Sequence, residues 1–290
     1  MDERLRSGAG SSGLGHGAQL RELANAPAIH PSAVIDPRAV IGEDVVIGPH
    51  CVVGPGARIG ARVKLGSNVV IEGDTELGED VRVWHGAVLG AEPQDRHSRG
   101  EPSRVRVGPR TQLRQHATVP RATGEGAETV IGADVLVMAS AHVAHNCRVS
   151  DGATLANGAL LAGHAEVGAR AIVSGNSVVH QFARIGRMAM IGGVARDVPP
   201  FALVVGDSVV RGVNGVGVRR GGVTRDAQAE IHRIYQLLFR RALPLAEALG
   251  RIEAFAATEA GREIVRFPRA PSKRGLCRGG VEGSRDGDEE

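Results

Sequence analysis

The sequence predicts a mainly β fold: a three-sided parallel coil of short strands followed by a small helical unit. Three observations predict it. Aliphatic residues recur every six positions over most of the 290 residues. Aromatic residues are scarce, with 5 Phe, 1 Trp and 1 Tyr. After residue 224 the pattern changes to a helical spacing.

Stepping by six from Ile29 meets Ile35, Ile41, Ile47, Val53, Ile59, Leu65, Ile71, Leu77, Val83 and Leu89. Val107, Leu113 and Val119 resume the series, and Ile131 opens a third run that continues through Val143, Leu155, Leu161 and Val179 to Ile191. Four residues after the aliphatic one the side chain is small or β-branched, as at Ala33, Cys51, Val63, Ala141, Cys147, Ala165 and Ser177. A helix repeats at 3.6 and a strand at 2, so a period of six suits short strands separated by turns. Three such strands close a triangular coil of 18 residues. The aliphatic residues stack inside and the small ones fill the tapered corners. Twenty-five hexads make about eight coils; at ~4.8 Å between paired strands the prism is about 40 Å long. So narrow an interior has no room for large rings. The result is a solenoid with local contacts.

Two breaks interrupt the coil. Ala91 to Arg106 carries Pro93, Gly100, Pro102 and several charges, and Thr123 to Glu128 is short and Gly-rich. Both keep the phase of six, so both read as loops expelled from the prism. Loops on a rigid scaffold often carry function, although a tolerated insertion would look the same.

The hexads end at Ile191, and Pro199-Pro200 closes the solenoid. Thr224 has the chemistry of a helix N-cap, and Ile231, Ile234, Tyr235 and Leu238 follow at helical spacing. Leu245 to Phe255 and Thr258 to Phe267 read as further short helices. The expected organisation is a disordered extension over 1–26, the coil with its loop 91–106 over 27–207, a helical unit over 208–278 and a disordered acidic tail over 279–290.

Composition narrows the function classes. The 42% hydrophobic and 23% charged content excludes full disorder. No apolar run approaches the ~20 residues of a membrane span, and the first residues hold no apolar segment of the secretory kind. The expected address is cytoplasmic, without stable membrane insertion. Cys51, Cys147 and Cys277 are too few and scattered for a disulfide framework and read as small buried side chains. The net charge is +3. From Arg211 to Val281, however, 14 Arg and Lys stand against 6 Asp and Glu, a net of +8. That asymmetry suggests an acidic partner; Arg-rich codon usage would also produce it.

Four of the 11 histidines share one edge if 18 residues make a turn: His142, His145, His164 and His180, on three successive coils. None occupies a core position of the hexad. Such a line could bind a metal through neutral imidazoles. It could equally move protons and hold an anionic or hydroxylated substrate. Spacing leaves both open.

At these residues the chain resembles the UDP-N-acetylglucosamine acyltransferases of the hexapeptide-repeat superfamily. The matching stretches are Ala141-His-Val-Ala-His145, Leu161-Ala-Gly-His164, Val179-His-Gln-Phe182, Asp197-Val-Pro-Pro-Phe201, Gly212-Val-Asn214 and Ser272-Lys-Arg-Gly-Leu-Cys-Arg278, with Gln94-Asp95 and Gly100-Glu-Pro102 in the first loop. The resemblance covers about residues 28 to 278. It implies a left-handed parallel β-helix, an exceptional hand for parallel crossovers. It also implies a reaction, the first of lipid A synthesis: a 3-hydroxyacyl chain passes from acyl carrier protein to the 3-hydroxyl of UDP-N-acetylglucosamine.

Residue roles follow from the same resemblance. His145 matches the general base, and an imidazole titrates near neutrality, which suits proton transfer. Gly163 matches the backbone donor that meets the oxyanion. His142, His164, His180 and Gln181 match groups that bind and orient substrate, and Asp95 an acid that contacts the sugar. Asn214 and Arg220 match uridine-diphosphate contacts, the planar guanidinium suiting phosphate. Gly193 matches a position that helps set acyl-chain length; a turn glycine is its plain alternative. The family works as a homotrimer with sites between subunits. No cofactor, metal or nucleic acid is implied, and the basic helical unit becomes part of the docking surface for the acidic carrier.

The chain departs from the family in places. Asn146 stands where Asp commonly follows the base. It can accept a hydrogen bond but cannot offer a charge. His97 replaces a usual Lys, Gly221 an expected Arg, and the run from Gly193 to Asp197 is short. Two rival readings use the same scaffold. One is a metalloenzyme of the γ-class carbonic anhydrase type, with Trp84-His85 and His116 in play. The other is a sugar-nucleotide N-acyltransferase.

Overall fold

The computed structural model describes residues 29–279 apart from Asp207 and Ala242. The expected disordered extension, and all of the expected tail but Gly279, lie outside the described residues.

Twenty-four short strands, from Val34–Ile35 to Met190–Ile191, run in parallel through three sheets. Each pairs with the strand one coil later: Val34 with Val52, Val40 with Arg58, Val46 with Lys64. Eight coils result, as the hexads require, and the prism is left-handed. For convenience the faces are called first, second and third after the strands beginning at Val34, Val40 and Val46.

The period of six is the core pattern made solid. The interior aliphatic residues Ile71, Leu89 and Leu161 of the first face and Leu113, Leu155 and Ile191 of the third have no solvent exposure, and neither do the small corner residues Cys51, Ala141, Ala153 and Ala165. Interior stacking dominates stability, since burying each such side chain is worth about 1.5–3 kcal/mol. The outward rows differ by face. The second face carries ladders of ion pairs, including Arg58 with Asp74 at 2.6 Å and Arg104 with Asp74 and Glu128 at 3.6 Å each. These are surface pairs of ~0–1 kcal/mol each. The first face presents Val34, Val52, Val70, Val88, Thr118, His142, Leu160 and Val178.

Both expelled loops leave at the same corner, between the first and second faces. One lies between strands Val88–Leu89 and Arg104–Val107, the other between Thr118–Val119 and Glu128–Ile131. Each adds whole hexads, and the strands above re-enter in register: Val88 pairs with Thr118, and Thr118 with His142.

The coil does not stop where the hexads do. Val194 bridges Val179, Val198 bridges Ile185, and Ala202–Val204 pairs with Met190–Ile191, forming a ninth, shortened coil. Its corners are tighter, so the six-residue phase slips while backbone pairing continues. Strand Val209–Val213 then folds back antiparallel on Ala202–Val204, and Arg278–Gly279 adds beside Val209–Val210. Gly279, assigned to the tail by sequence, is thus the last residue of a strand.

Four helices follow: α1 (Gly215–Arg220), α2 (Arg225–Phe239), α3 (Leu245–Glu253) and α4 (Glu259–Arg269). Thr224 and Thr258 cap α2 and α4 by accepting from Ala227 and Gly261 N–H. The run Asp197 to Phe201 joins the helices to the prism. Asp197, 1% exposed, accepts from Arg184 at 2.6 and 2.8 Å, and the Tyr235 hydroxyl donates to the Pro200 carbonyl at 2.5 Å. Arg187 meets Glu263 of α4 at 2.8 Å.

Candidate active site

The corner between the first and second faces gathers most of the expected residues. His142 projects outward from strand His142–Val143. His145 lies in the turn above it, only 7% exposed. His164 occupies the equivalent turn one coil later, and His180, Gln181 and Phe182 the turn after that. The two loops at this corner bring in Asp95 and Thr123.

Turn geometry explains part of the pattern. The residue just before most of the small core residues takes the left-handed conformation, as do Asn146 (φ 60°), His164 (φ 59°) and Phe182 (φ 66°). Asn and His tolerate that region better than most residues; a bulky Phe does not. Phe182 is therefore held by its neighbours. Its ring stacks on His164 with centroids 4.7 Å apart, and Lys273 Nζ sits 3.8 Å from the ring centre.

His145 is anchored at one nitrogen and open at the other. Its Nδ1 lies 2.8 Å from Asn146 Oδ1 and its Nε2 3.9 Å from Asp95 Oδ2. Its ring meets His164 edge-on at 5.3 Å. Gly163 packs directly against Nε2: a Cβ there would lie 2.5 Å from that nitrogen. The Gly163 carbonyl accepts from Phe182 N–H at 3.1 Å, and its own N–H has no partner among the described residues.

The electrostatics keep Asp95 charged and two imidazoles neutral. Hydrogen bonds from the backbone and ring of His97 hold the Asp95 carboxyl down at about 2. The His97 backbone N–H donates to Asp95 Oδ1 at 3.0 Å, and the ring Nδ1 lies at the same distance from that oxygen. Burial, then the nearby His145, pushes His142 below the ordinary imidazole value. Burial, then His145 and Lys273, does the same for His164. His142 Nδ1 also contacts Thr118 Oγ1 at 2.7 Å.

The structure does not bring every expected residue here. Asn214 and Arg220 line a cavity of about 700 Å³ over the third face, with Arg170, Ile172, Met188 and Met190. Asn214 is buried, caps α1 through Gly217 N–H and donates to the Met188 carbonyl at 2.9 Å. Gly193 lies in the ninth coil, beyond Val178. His180 is exposed, with Nδ1 3.3 Å from the Gln181 carbonyl. His85 and His116 sit at the corner between the third and first faces, away from the His145 edge. Among the described residues no three His, Cys, Asp or Glu side chains cluster to hold a metal ion. Two contributors escaped the sequence reading: Thr123, which bonds Asn146, and Lys273, which covers Phe182. Thr123 was detectable as the first residue of a phase-keeping break, and Lys273 lies in the matching stretch Ser272 to Arg278 but was given no role there.

Known proteins resemble the chain over most of its length. A family model described as Udp N-acetylglucosamine O-acyltransferase, domain 2, matches residues 197–277. A bacterial transferase hexapeptide model matches 27–61, 56–91 and 128–163. An acyl-[acyl-carrier-protein]–UDP-N-acetylglucosamine O-acyltransferase of Synechocystis is 42% identical over 82% of the chain and 88% of its own length. One from Gloeothece citriformis is 45% identical over 64% of the chain and 69% of its own. The solved UDP-N-acetylglucosamine acyltransferase of Francisella novicida superposes with a TM-score of 0.83 at 32% identity, covering 86% of this chain and 94% of that one. That of Campylobacter jejuni gives 0.80 at 35%, covering 86% and 99%.

Proposed function

The chain belongs to the acyl-[acyl-carrier-protein]–UDP-N-acetylglucosamine O-acyltransferases, and on that premise we propose how its residues divide the reaction that begins lipid A synthesis. The acyl chain moves from the carrier's thioester to the sugar 3-hydroxyl. His145 Nε2 takes the hydroxyl proton as the oxygen attacks the thioester carbon. The carbonyl oxygen becomes an oxyanion, and Gly163 N–H is the donor placed to meet it. The tetrahedral intermediate collapses, the carbon–sulfur bond breaks, and the imidazolium returns its proton to the leaving thiolate. His142 and His164, kept neutral by burial, can accept or donate hydrogen bonds without repelling the imidazolium. Asp95 and His180 with Gln181 orient the sugar and its acyl donor along the edge.

The observation that carries this reading is the placement of His145: one nitrogen anchored on Asn146, the other open beside Gly163 and Asp95. Asn214 and Arg220 lie on another face, so we assign the nucleotide contacts to a neighbouring copy in a homotrimer. The outward row of the first face supports this, since Val34, Leu160 and Val178 are 65, 42 and 50% exposed on one chain while the second face is covered by ion pairs. The basic α2–α4 unit is the docking side for the acidic carrier. To Gly193, in the ninth coil, we assign the limit on acyl length.

The test is product mass spectrometry from UDP-N-acetylglucosamine and a panel of acyl carrier thioesters, run beside native mass measurement. The expected result is an O-acylated sugar nucleotide from a trimer, lost in His145→Ala, which keeps the trimer. Full turnover by His145→Ala overturns the base; a stable active monomer overturns the shared site.

A further inference from the structure

The second expelled loop touches the site at one residue. Thr123 N–H donates to Asn146 Oδ1 at 3.0 Å, and Asn146 Nδ2 donates back to the Thr123 carbonyl at 3.0 Å. The loop backbone thus reads the side-chain amide as one strand reads its neighbour. A flipped amide would set donor against donor and acceptor against acceptor, so its orientation is fixed. Asn146 N–H is also tied, to Thr129 Oγ1 at 3.0 Å. The amide oxygen keeps a second lone pair, and His145 Nδ1 lies 2.8 Å from it. An amide oxygen accepts only. Nδ1 must therefore carry the hydrogen, and Nε2 must carry the free lone pair.

We infer that the loop over residues 123–128 is a tautomer lock, and that this chain requires the amide of Asn146 where its family commonly carries a carboxylate. An Asp at this position could still accept from Thr123 N–H and His145 Nδ1–H. Its second oxygen would then face the Thr123 carbonyl at the 3.0 Å where Nδ2 now donates. The loop would have to move, and His145 would lose its rigid support. Thr123 and Asn146 are positioning residues: they act through His145. The charge that Asn146 cannot supply to the imidazolium sits instead on Asp95, 3.9 Å from Nε2.

The inference rests on His145 as the base, but its first readout is independent of turnover. Protein with ¹⁵N-labelled histidine is examined at pH 7.5, with the His145 signals identified by their loss in His145→Gln. The expected spectrum has a protonated Nδ1 and an unprotonated Nε2; a protonated Nε2 overturns the lock. The second readout is steady-state turnover of Asn146→Asp and of a variant lacking residues 123–128, which keeps the hexad phase. Each should show mixed tautomers and a kcat at least about tenfold lower, with KM within about twofold, because a misplaced tautomer costs catalysis rather than binding. Wild-type kcat and spectrum in Asn146→Asp would also overturn it. Loss of the fold in the deletion leaves the wild-type spectrum and Asn146→Asp as decisive measurements. If the tautomer is as expected but His145→Ala still turns over, the fault lies in the base assignment and not in the lock.

Discussion

His145 and His164 meet edge to face, with ring centres 5.3 Å apart and planes at 87°. Burial and the neighbouring His145 ring push His164, and likewise His142, below the ordinary imidazole value. At His142 and His164 the folded chain holds protons less readily than the unfolded chain. As pH falls through the ordinary imidazole value of about 6.5, the unfolded chain gains protons first and stability drops; the drop ends once the folded groups titrate. The thermal midpoint should therefore fall from pH 7 to 5, and fall less in His142→Gln. Parallel curves for the two proteins would contradict this.

Gly163→Ala should retain the fold yet lose turnover. The new Cβ would sit 2.5 Å from His145 Nε2, so the ring must turn away. A displacement of this size at the reacting atom costs about 10²-fold in kcat. Turnover within twofold of wild type would show that Nε2 is not where the proton goes.

Asp197→Ala should weaken the joint between prism and helices. It leaves Arg184, which is 15% exposed, without the carboxylate it now holds at 2.6 Å. Orphaning a buried cation costs about 3–5 kcal/mol. Urea unfolding measures the loss, and a change below about 1 kcal/mol would reduce this pair to surface decoration.

Leu161→Ala tests the interior column beneath Gly163. Leu161 has no exposed surface, and a deletion of this size in a core costs about 2–5 kcal/mol. Chemical denaturation should register it without change in the secondary structure at low denaturant.

Much of the fold was legible because each coil contributes the same physics six residues at a time. Ile47, Leu65 and Val83 stack since strands must pair and the interior must be filled; Thr224 and Thr258 cap helices because free N–H groups need acceptors. The ninth coil was not legible, since Val194 and Val198 keep the pairing through tighter corners that lose the count. Helix α1 was hidden in Gly-Val-Gly-Val, a weak helix former that Asn214 starts by capping. The His edge could be counted, but the bond between Thr123 and Asn146 depends on a backbone path that no periodicity encodes. Asn146 therefore looked like a loss of charge, and its amide's second partner was invisible.

Inserts that leave one corner in whole hexads have a consequence for how such a chain can change. Lengthening or trimming either loop by six residues leaves every later rung facing the same way, so new side chains can be delivered to the reacting atoms without refitting the scaffold above. Other lengths are compatible with the rungs wherever strand pairing is kept, as the shortened ninth coil keeps it without the count of six. Chemistry at this corner is thus editable while the rungs stay fixed.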